Sequence, residues 1–232
     1  MDDVVVAPGI PTAIPALSGI CALPPTWPDG SALSQPDLPH SLFTMTTAEA
    51  LALFRSTGAL LDGHFILRSG LHSRQFFQCA LALQQMPLVE QFGAALAAKV
   101  SHLGARTVIA PAMGGLVIGQ EVARQLKTRF IFAEKEEGRL VLRRGFKIEA
   151  DEPCLVVEDV VTKGGRVQET IDIVRNHGGT VAGVAMVVDR SNGTVDLGVP
   201  TFSLIRLQVE AFAPDALPAD LAAIPATKPG SK

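Results

Sequence analysis

The 232-residue sequence is 47% hydrophobic with a mean hydropathy of +0.30, so it is long and apolar enough to bury the core of one α/β-sized domain. Its formal net charge of −3 and pI near 5.9 lack the basic surplus typical of proteins that neutralise nucleic-acid phosphates, so we expect no nucleic-acid partner. The cysteines are dispersed and form no CxxC pair, which argues against a disulfide framework and a zinc site. No apolar run is long enough to cross a bilayer, and the first residues are acidic where a signal peptide would be basic, which argues against a membrane partner and secretion. We therefore expect a cytoplasmic protein.

The N-terminal segment, residues 1–44, is rich in proline. It holds half of the sixteen prolines, spaced so that neither a helix nor a strand can propagate between them. We therefore predict a disordered tail over residues 1–44. The pattern changes beside an internal methionine, Met45, which suggests the hypothesis that the natural product begins there and that the preceding segment is a gene-start artefact.

From Thr46 onward the sequence predicts helices and strands. The capping box Thr46-x-x-Glu49 begins a short helix that ends at Gly58, and Pro87 opens a second helix that Gly104 closes. After these, strands and helices alternate, as indicated by β-branched runs at 107–110, 130–133, 154–158 and 180–188 and by helical periodicity at 115–126 and 166–177. This alternation predicts an α/β fold with a mainly parallel central sheet flanked by helices.

Two segments lie outside this alternation. Residues 134–153 are charged and punctuated by glycine, too polar for a core and long enough for a hairpin or a mobile flap. The end of the chain returns to proline and small residues, so we expect fraying beyond about Phe212 and a flexible tail over 214–232. The folded domain is thereby predicted to span residues 45–213.

The segment CLVVEDVVTKGGRVQETI carries the clearest chemical pattern. Its buried strand delivers Glu158 and Asp159 to the carboxyl edge of the sheet, where ligands of parallel sheets bind. Gly164 and Gly165 then let backbone N–H groups turn onto an anion at a helix N-terminus, and Thr162 adds a hydroxyl donor. Acids beside an anion cradle suit a sugar phosphate, because carboxylates accept hydrogen bonds from vicinal hydroxyls and repel free phosphate.

The alternative interpretation of this segment is a plain strand–turn–helix junction with a solvated acidic pair. A nucleotide-hydrolysing P-loop and a dinucleotide fold are excluded, because the sequence has neither GxxxxGK[ST] nor a GxGxxG after a strand.

The same segment resembles the phosphoribosyl pyrophosphate (PRPP) signature of type I phosphoribosyltransferases, in which apolar residues precede two acids, two apolar residues and Thr-x-Gly-Gly. The resemblance implies that family's fold, with an N-terminal hood and a flexible flap. It also implies a PRPP site made of Glu158, Asp159, Val160, Val161, Thr162, Lys163, Gly164, Gly165 and Arg166.

Upstream, GALLDGHFILRSGLHSRQFFQCALAL resembles the amino-terminal motif of orotate phosphoribosyltransferases. In that family a basic side chain and an aromatic pair border the orotate ring, which implies base-binding roles for Arg68, Phe76 and Phe77, with Arg68 standing where lysine is common. Because successive strand residues face opposite ways, we expect one phenylalanine to be ordinary strand packing. Thr162 joins this site, and Arg190 in VVDR matches the family's orotate-binding arginine; its alternative is a surface charge at a strand end.

The resemblance also assigns residues to the pyrophosphate. APAMGG resembles the family's pyrophosphate loop, here Ala112, Met113 and Gly114, with a non-proline cis peptide expected between Ala112 and Met113. In the flap, Lys135 transfers to the family's pyrophosphate-binding loop, and with Asp159 it is assigned to catalysis. Further flap candidates, against the equal alternative of a solvated hairpin, are Arg139, Arg143 and Arg144.

Together these resemblances imply transfer of phosphoribosyl from PRPP to orotate, giving orotidine 5′-phosphate and pyrophosphate in de novo UMP biosynthesis. They imply Mg²⁺ as a cofactor that arrives with the substrate rather than in a protein cage, and a homodimer whose active site is shared across the interface. Alternatives are a phosphoribosyltransferase for a purine or uracil, and a non-catalytic PRPP sensor that regulates transcription. The sensor needs a basic helix-turn-helix, and none precedes residue 45; a fused decarboxylase barrel needs a longer chain.

Overall fold

The computed structural model of the protein describes residues 45–67 and 69–229. The helices are α1 (Thr47–Ser56), α2 (Ala80–Leu83), α3 (Met86–Val100), α4 (Gly115–Leu126), α5 (Gly165–Asn176) and α6 (Ala219–Ala222). The strands are β1 (Leu60–Ile66), β2 (His72–Phe77), β3 (Thr107–Pro111), β4 (Arg129–Glu136), β5 (Arg139–Leu142), β6 (Pro153–Val161), β7 (Thr180–Asp189) and β8 (Thr201–Arg206). No helix among these residues is long and apolar enough to cross a membrane.

The central sheet has six strands in the order β5-β4-β3-β6-β7-β8. Neighbouring strands are parallel except β4 and β5, which form an antiparallel hairpin. β3 is buried at every position, because helices cover both faces of the sheet. The predicted α/β class and mainly parallel sheet are confirmed, and the carboxyl ends of the parallel strands meet at one edge.

Apolar residues of the sheet belong to two packed clusters. One joins the sheet to α1, α3 and α4 through side chains such as Phe54, Phe92 and Ile118. The other joins it to α5 through Ile171 and Val174. In α1, α3, α4 and α5 the apolar residues thus belong to the packed core. For α4 and α5, this packing fixes the position of the first helical turn.

β6 is longer than the sequence predicts. The prediction ends the strand at Glu158, but pairing with β7 continues to Val161, opposite Asp189. Glu158 is only 2% exposed, and the first turn of α4 lies against its side chain, since a β-carbon on Gly115 would be 3.2 Å from Glu158 Oε1. The expectation that both acids emerge from the core is therefore wrong for Glu158, because a helix covers its side chain.

The two-stranded sheet β1–β2 corresponds to the predicted N-terminal hood. Its open edges are both covered by the C-terminal segment, through bridges from His72 to Phe212 and from Phe65 to Thr227. Leu221 of this segment is 1% exposed. The expected fraying beyond Phe212 is thus wrong for the described part of the segment, because strand edges need partners and a buried leucine anchors it.

The flap predicted over 134–153 begins as a hairpin. β4 and β5 are joined by a tight turn at Glu137 and Gly138, both with positive φ. The backbone N–H of Leu140 donates to the Glu169 carboxylate at 3.1 Å, which ties the hairpin to α5. The hairpin of the prediction is present, and the movement of this segment as a flap stays a prediction.

Candidate active site

The turn between β6 and α5 forms an anion cradle. Gly164 has a φ of 74°, and a β-carbon there would lie 2.7 Å from Val195 Cγ1, so only glycine fits this position without strain. The start of α5 has no side-chain cap, which leaves first-turn N–H groups for an anion. A cavity of about 330 Å³ opens here, lined by Glu158, Asp159, Val160, Val161, Thr162, Lys163, Gly164, Gly165, Arg166 and Val167.

The lining contains nine of the ten residues predicted for PRPP, all but Lys135, and these nine do not contribute alike. The side chains of Thr162, Lys163 and Arg166 are exposed and free to meet a ligand. Val161 is 3% exposed and packs in the core, so only its backbone can face the cavity.

The acid pair is electrostatically unequal. Glu158 Oε1 accepts the Asp159 backbone N–H at 3.1 Å, and Asp159 Oδ1 accepts the Val160 N–H at 2.7 Å. Burial, reinforced by the adjacent Asp159 charge and opposed by Arg166, raises the pKa of Glu158 to about 8. Glu158 is therefore largely protonated at neutral pH, whereas its neighbour Asp159 is only half-buried and its carboxylate is the more accessible of the two to a ligand in the cavity.

The predicted pyrophosphate loop lies beside this pair. The peptide between Ala112 and Met113 is cis, as expected, and Met113 is 78% exposed. A β-carbon on Gly114 would lie 2.7 Å from an Asp159 carboxylate oxygen. Loop and acid are therefore in direct contact, so one ligand can touch both.

Arg190 follows β7 at the same edge of the sheet. Its backbone N–H donates to Val161 O at 2.7 Å, which fixes it beside the end of β6. Its Nε is buried and has no hydrogen-bond partner among the described residues. Burial lowers the pKa of the Arg190 guanidinium. The side chain as a whole is half-buried, so a ligand anion that reached it would supply the hydrogen-bond partner that the buried Nε lacks among the described residues.

The two phenylalanines of β2 have different environments. Phe77 is 8% exposed and packs edge-to-face on Phe54 with ring centroids 5.1 Å apart. Phe76 is only half-buried and lies 6.0 Å from the Phe65 ring. Phe77 is thus the strand-packing member of the pair and is not available to stack on a base, whereas Phe76 remains a candidate. Arg68 lies outside the described residues.

The flap cations also separate into two groups. Arg144 donates twice to the Glu134 carboxylate, at 3.1 and 3.0 Å, and Arg143 Nη1 lies 3.0 Å from Glu136. Lys135 and Arg139 are exposed, and within the described residues neither joins an ion pair. Lys135 and Arg139 are therefore better candidates for a ligand anion than Arg143 and Arg144, which already have carboxylate partners.

Sequence reasoning missed Cys79. Burial raises its pKa well above the usual value, and the charges of Asp159 and Glu158 raise it further, which indicates that the thiol lies near the acid pair. Only the fold brings Cys79 to β6, so no local pattern could have revealed this proximity.

Comparisons with known proteins agree with this geometry. A family model described as phosphoribosyl transferase domain matches residues 80–212. The orotate phosphoribosyltransferase of Pelotomaculum thermopropionicum is 52% identical over 188 residues, which are 81% of this chain and 99% of that protein. The orotate phosphoribosyltransferase of Chlorobaculum parvum is 50% identical over 81% of this chain and 97% of its own length. The crystal structure of orotate phosphoribosyltransferase from Aeropyrum pernix matches with a TM-score of 0.56 and 25% identity, covering 67% of this chain and 92% of that one.

Proposed function

The chain belongs to the orotate phosphoribosyltransferase family, and from this premise we propose that its cavity transfers phosphoribosyl from PRPP to orotate in pyrimidine biosynthesis. The single observation that carries the base assignment is the buried Arg190 Nε without a partner. Orotate is a flat pyrimidine carboxylate, and it supplies the anion that this guanidinium lacks.

PRPP binds by its 5-phosphate at the first turn of α5. Uncapped N–H groups and the positive end of the helix dipole attract a dianion, and the exposed Thr162 and Lys163 add donors. The ribose hydroxyls then reach the acid pair, where the half-buried Asp159 carboxylate accepts hydrogen bonds. Glu158, protonated at neutral pH, can donate one as well as accept one.

Orotate binds between the β1–β2 hairpin and the end of β7. Its carboxylate pairs with Arg190, the Thr162 hydroxyl is a further donor, and one ring face rests on Phe76, the phenylalanine that is not part of the core. Arg68 remains a further base-binding candidate by resemblance.

In the reaction the C1′–oxygen bond to pyrophosphate breaks as orotate N1, having lost its proton, forms a bond to C1′. Positive charge develops on the ribose, and Asp159 stabilises it while holding the hydroxyls. Charge accumulates on the departing pyrophosphate, which the loop at Ala112, Met113 and Gly114 holds through its backbone and exposed Lys135 neutralises. Positioning and exclusion of water by the flap supply the remaining acceleration.

The residues of the cavity fit Mg²⁺ carried by the substrate. Their donors include carboxylate oxygens, the ligand type that Mg²⁺ prefers, and the described residues contain no group of three acidic, histidine or cysteine side chains that could cage a metal. Asp159 would be the residue that holds the ion, which would supply positive charge to offset that of the pyrophosphate.

We also propose a cytoplasmic homodimer in which the flap of one subunit, with Lys135, reaches the active site of the other. The support is family membership together with the exposure of Lys135 on a hairpin rather than in the cavity lining. Light scattering tests the dimer: a monomer at working concentration would contradict it.

The decisive experiment follows orotate absorbance in the presence of PRPP, with and without Mg²⁺, against uracil, adenine and hypoxanthine. We expect magnesium-dependent consumption of orotate alone. Arg190→Ala should abolish it, whereas Arg175→Ala, which removes an exposed arginine from the far end of α5, should not. Binding of PRPP without turnover of any base would instead support the sensor.

A further inference from the structure

The loop after β7 uses its polar groups internally. Asp189 Oδ1 accepts the Ser191 backbone N–H at 2.9 Å and the Ser191 hydroxyl at 2.6 Å. The Ser191 hydroxyl oxygen accepts the Gly193 N–H at 3.2 Å, and the Ser191 carbonyl accepts the Thr194 hydroxyl at 2.6 Å. Ser191 is 7% exposed, so these bonds are shielded from water and define one loop conformation.

Arg190 lies between the two residues of this network but takes no side-chain part in it. Asp189 is its neighbour in sequence and carries the carboxylate nearest to it along the chain. Asp189 Oδ1 accepts two hydrogen bonds from Ser191, and its Oδ2 lies 3.6 Å from Arg206 Nε. The Nε of the half-buried Arg190 is left without a partner in the described chain. The acid is therefore held by other groups while the neighbouring Nε stays unpaired.

We propose that Ser191 and Asp189 are positioning residues that keep the Arg190 guanidinium unpaired for the carboxylate of the substrate base. The inference rests on the proposed function, because orotate is the anion assigned to Arg190. Ser191 occupies the carboxylate that would otherwise compete with the substrate, and Asp189 in return orders the loop. Affinity for the base thus depends on a hydroxyl that does not touch it.

Four variants test this. Ser191→Ala removes both hydroxyl bonds and leaves Asp189 Oδ1 with the backbone N–H of residue 191 alone. The carboxylate is then freer to turn towards Arg190, so we expect the KM for orotate to rise about tenfold, while kcat and the KM for PRPP change less than about twofold. Asp189→Asn keeps an acceptor oxygen but loses the charge, so it should remain near wild type. The double variant of both changes should recover most of the lost affinity, because no competing anion is present. Thr194→Ala removes one hydrogen bond from the same loop without touching Asp189 and serves as the control.

The rescue separates positioning from simple loss of structure. A merely loosened loop would leave the double variant as poor as Ser191→Ala, or would raise both KM values together, and either result overturns the inference. So would an orotate KM for Ser191→Ala no higher than that of Thr194→Ala.

A second measurement is independent of activity. The Arg190 Nε–H resonance, assigned by its loss in Arg190→Lys, should move downfield in Ser191→Ala as Asp189 pairs with it, and should return in the double variant. An unmoved resonance overturns the inference. If the wild type fails to convert orotate, the proposed function fails, and this resonance still decides whether the loop holds the carboxylate away.

Discussion

Gly114 and Asp159 lie so close together that a β-carbon on Gly114 would fall 2.7 Å from Asp159 Oδ1 and 3.0 Å from its Cγ. This contact joins the loop before α4 to the acid pair on β6. The next residue, Gly115, is also crowded, but by backbone: its β-carbon would lie 2.8 Å from the Val157 carbonyl oxygen. A side chain added at Gly114 would therefore meet the Asp159 side chain, which can rotate, whereas one added at Gly115 would meet the backbone of β6, which cannot.

We predict that Gly114→Ala and Gly115→Ala fail in different ways. In Gly114→Ala the Asp159 side chain must rotate away, so the protein should fold but its KM for PRPP should rise about tenfold. In Gly115→Ala the sheet backbone must shift, so the free energy of unfolding should fall by about 1–3 kcal/mol. Urea unfolding and steady-state kinetics check both.

A double-mutant cycle sharpens this prediction. In an Asp159→Ala background the obstacle to Gly114→Ala is absent, so the second change should raise the KM for PRPP no further. Additive losses would contradict the contact as the cause.

The raised pKa of Glu158 predicts a pH dependence of stability. Its folded pKa of about 8 lies above the ordinary 4.5, so between these values the folded protein retains a proton that the unfolded chain releases. The stability contributed by this carboxyl is complete below the unfolded pKa and is lost as pH rises through the folded pKa. The free energy of unfolding of the wild type should therefore decline relative to Glu158→Gln across this window and level off above it.

Urea unfolding of both proteins at intervals from about pH 5 to about pH 9 measures that difference, since other titrating groups cancel. A difference independent of pH would mean that Glu158 is ionised in the folded protein throughout.

The C-terminal segment should contribute to stability. Leu221 is 1% exposed, so Leu221→Ala should lower the free energy of unfolding by about 2–4 kcal/mol through lost burial and a cavity. Ile224 lies three residues later in the same segment and is 46% exposed, so Ile224→Ala should cost no more than about 0.5 kcal/mol. Equal, small effects would indicate that the segment is not packed in solution.

Lys135→Ala should slow the chemical step. The lysine is proposed to neutralise the leaving group, so kcat should fall by about two orders of magnitude while the KM for orotate changes little. Lys99→Ala removes an exposed lysine from the last turn of α3 and is the matched control. A rise in the KM for orotate without loss of kcat would assign Lys135 to base binding instead.

Local signals predicted the central domain well. The helix predicted at 115–126 is present as Gly115–Leu126, and that predicted at 166–177 as Gly165–Asn176, because apolar spacing and glycine mark helices within a short window. The phosphate turn was predictable for the same reason, since strand, acids, glycines and helix follow each other directly in sequence.

What the sequence could not reveal depends on distant partners. Because successive residues of β2 face opposite ways, the sequence predicted that one of the two phenylalanines would be buried. Only the contact with Phe54 on α1 identifies it as Phe77. Glu158 is buried where the first turn of α4 lies against it. The Nε of Arg190, unpaired among the described residues, becomes apparent only when the whole edge of the sheet is assembled.

The C-terminal segment that pairs with the edges of the β1–β2 hairpin affects the order in which the parts of the protein can fold during synthesis. His64 Nδ1 lies 2.7 Å from the carbonyl oxygen of Ile224, a residue 160 positions later in the chain, and Thr227 N–H donates to the His64 carbonyl at 2.9 Å. During synthesis the hairpin therefore leaves the ribosome well before its edge partners, which follow about 160 residues later. We expect the turn between β6 and α5 to fold on the nascent chain before the edges of the β1–β2 hairpin are covered, so that competence for the base waits for the C-terminal segment.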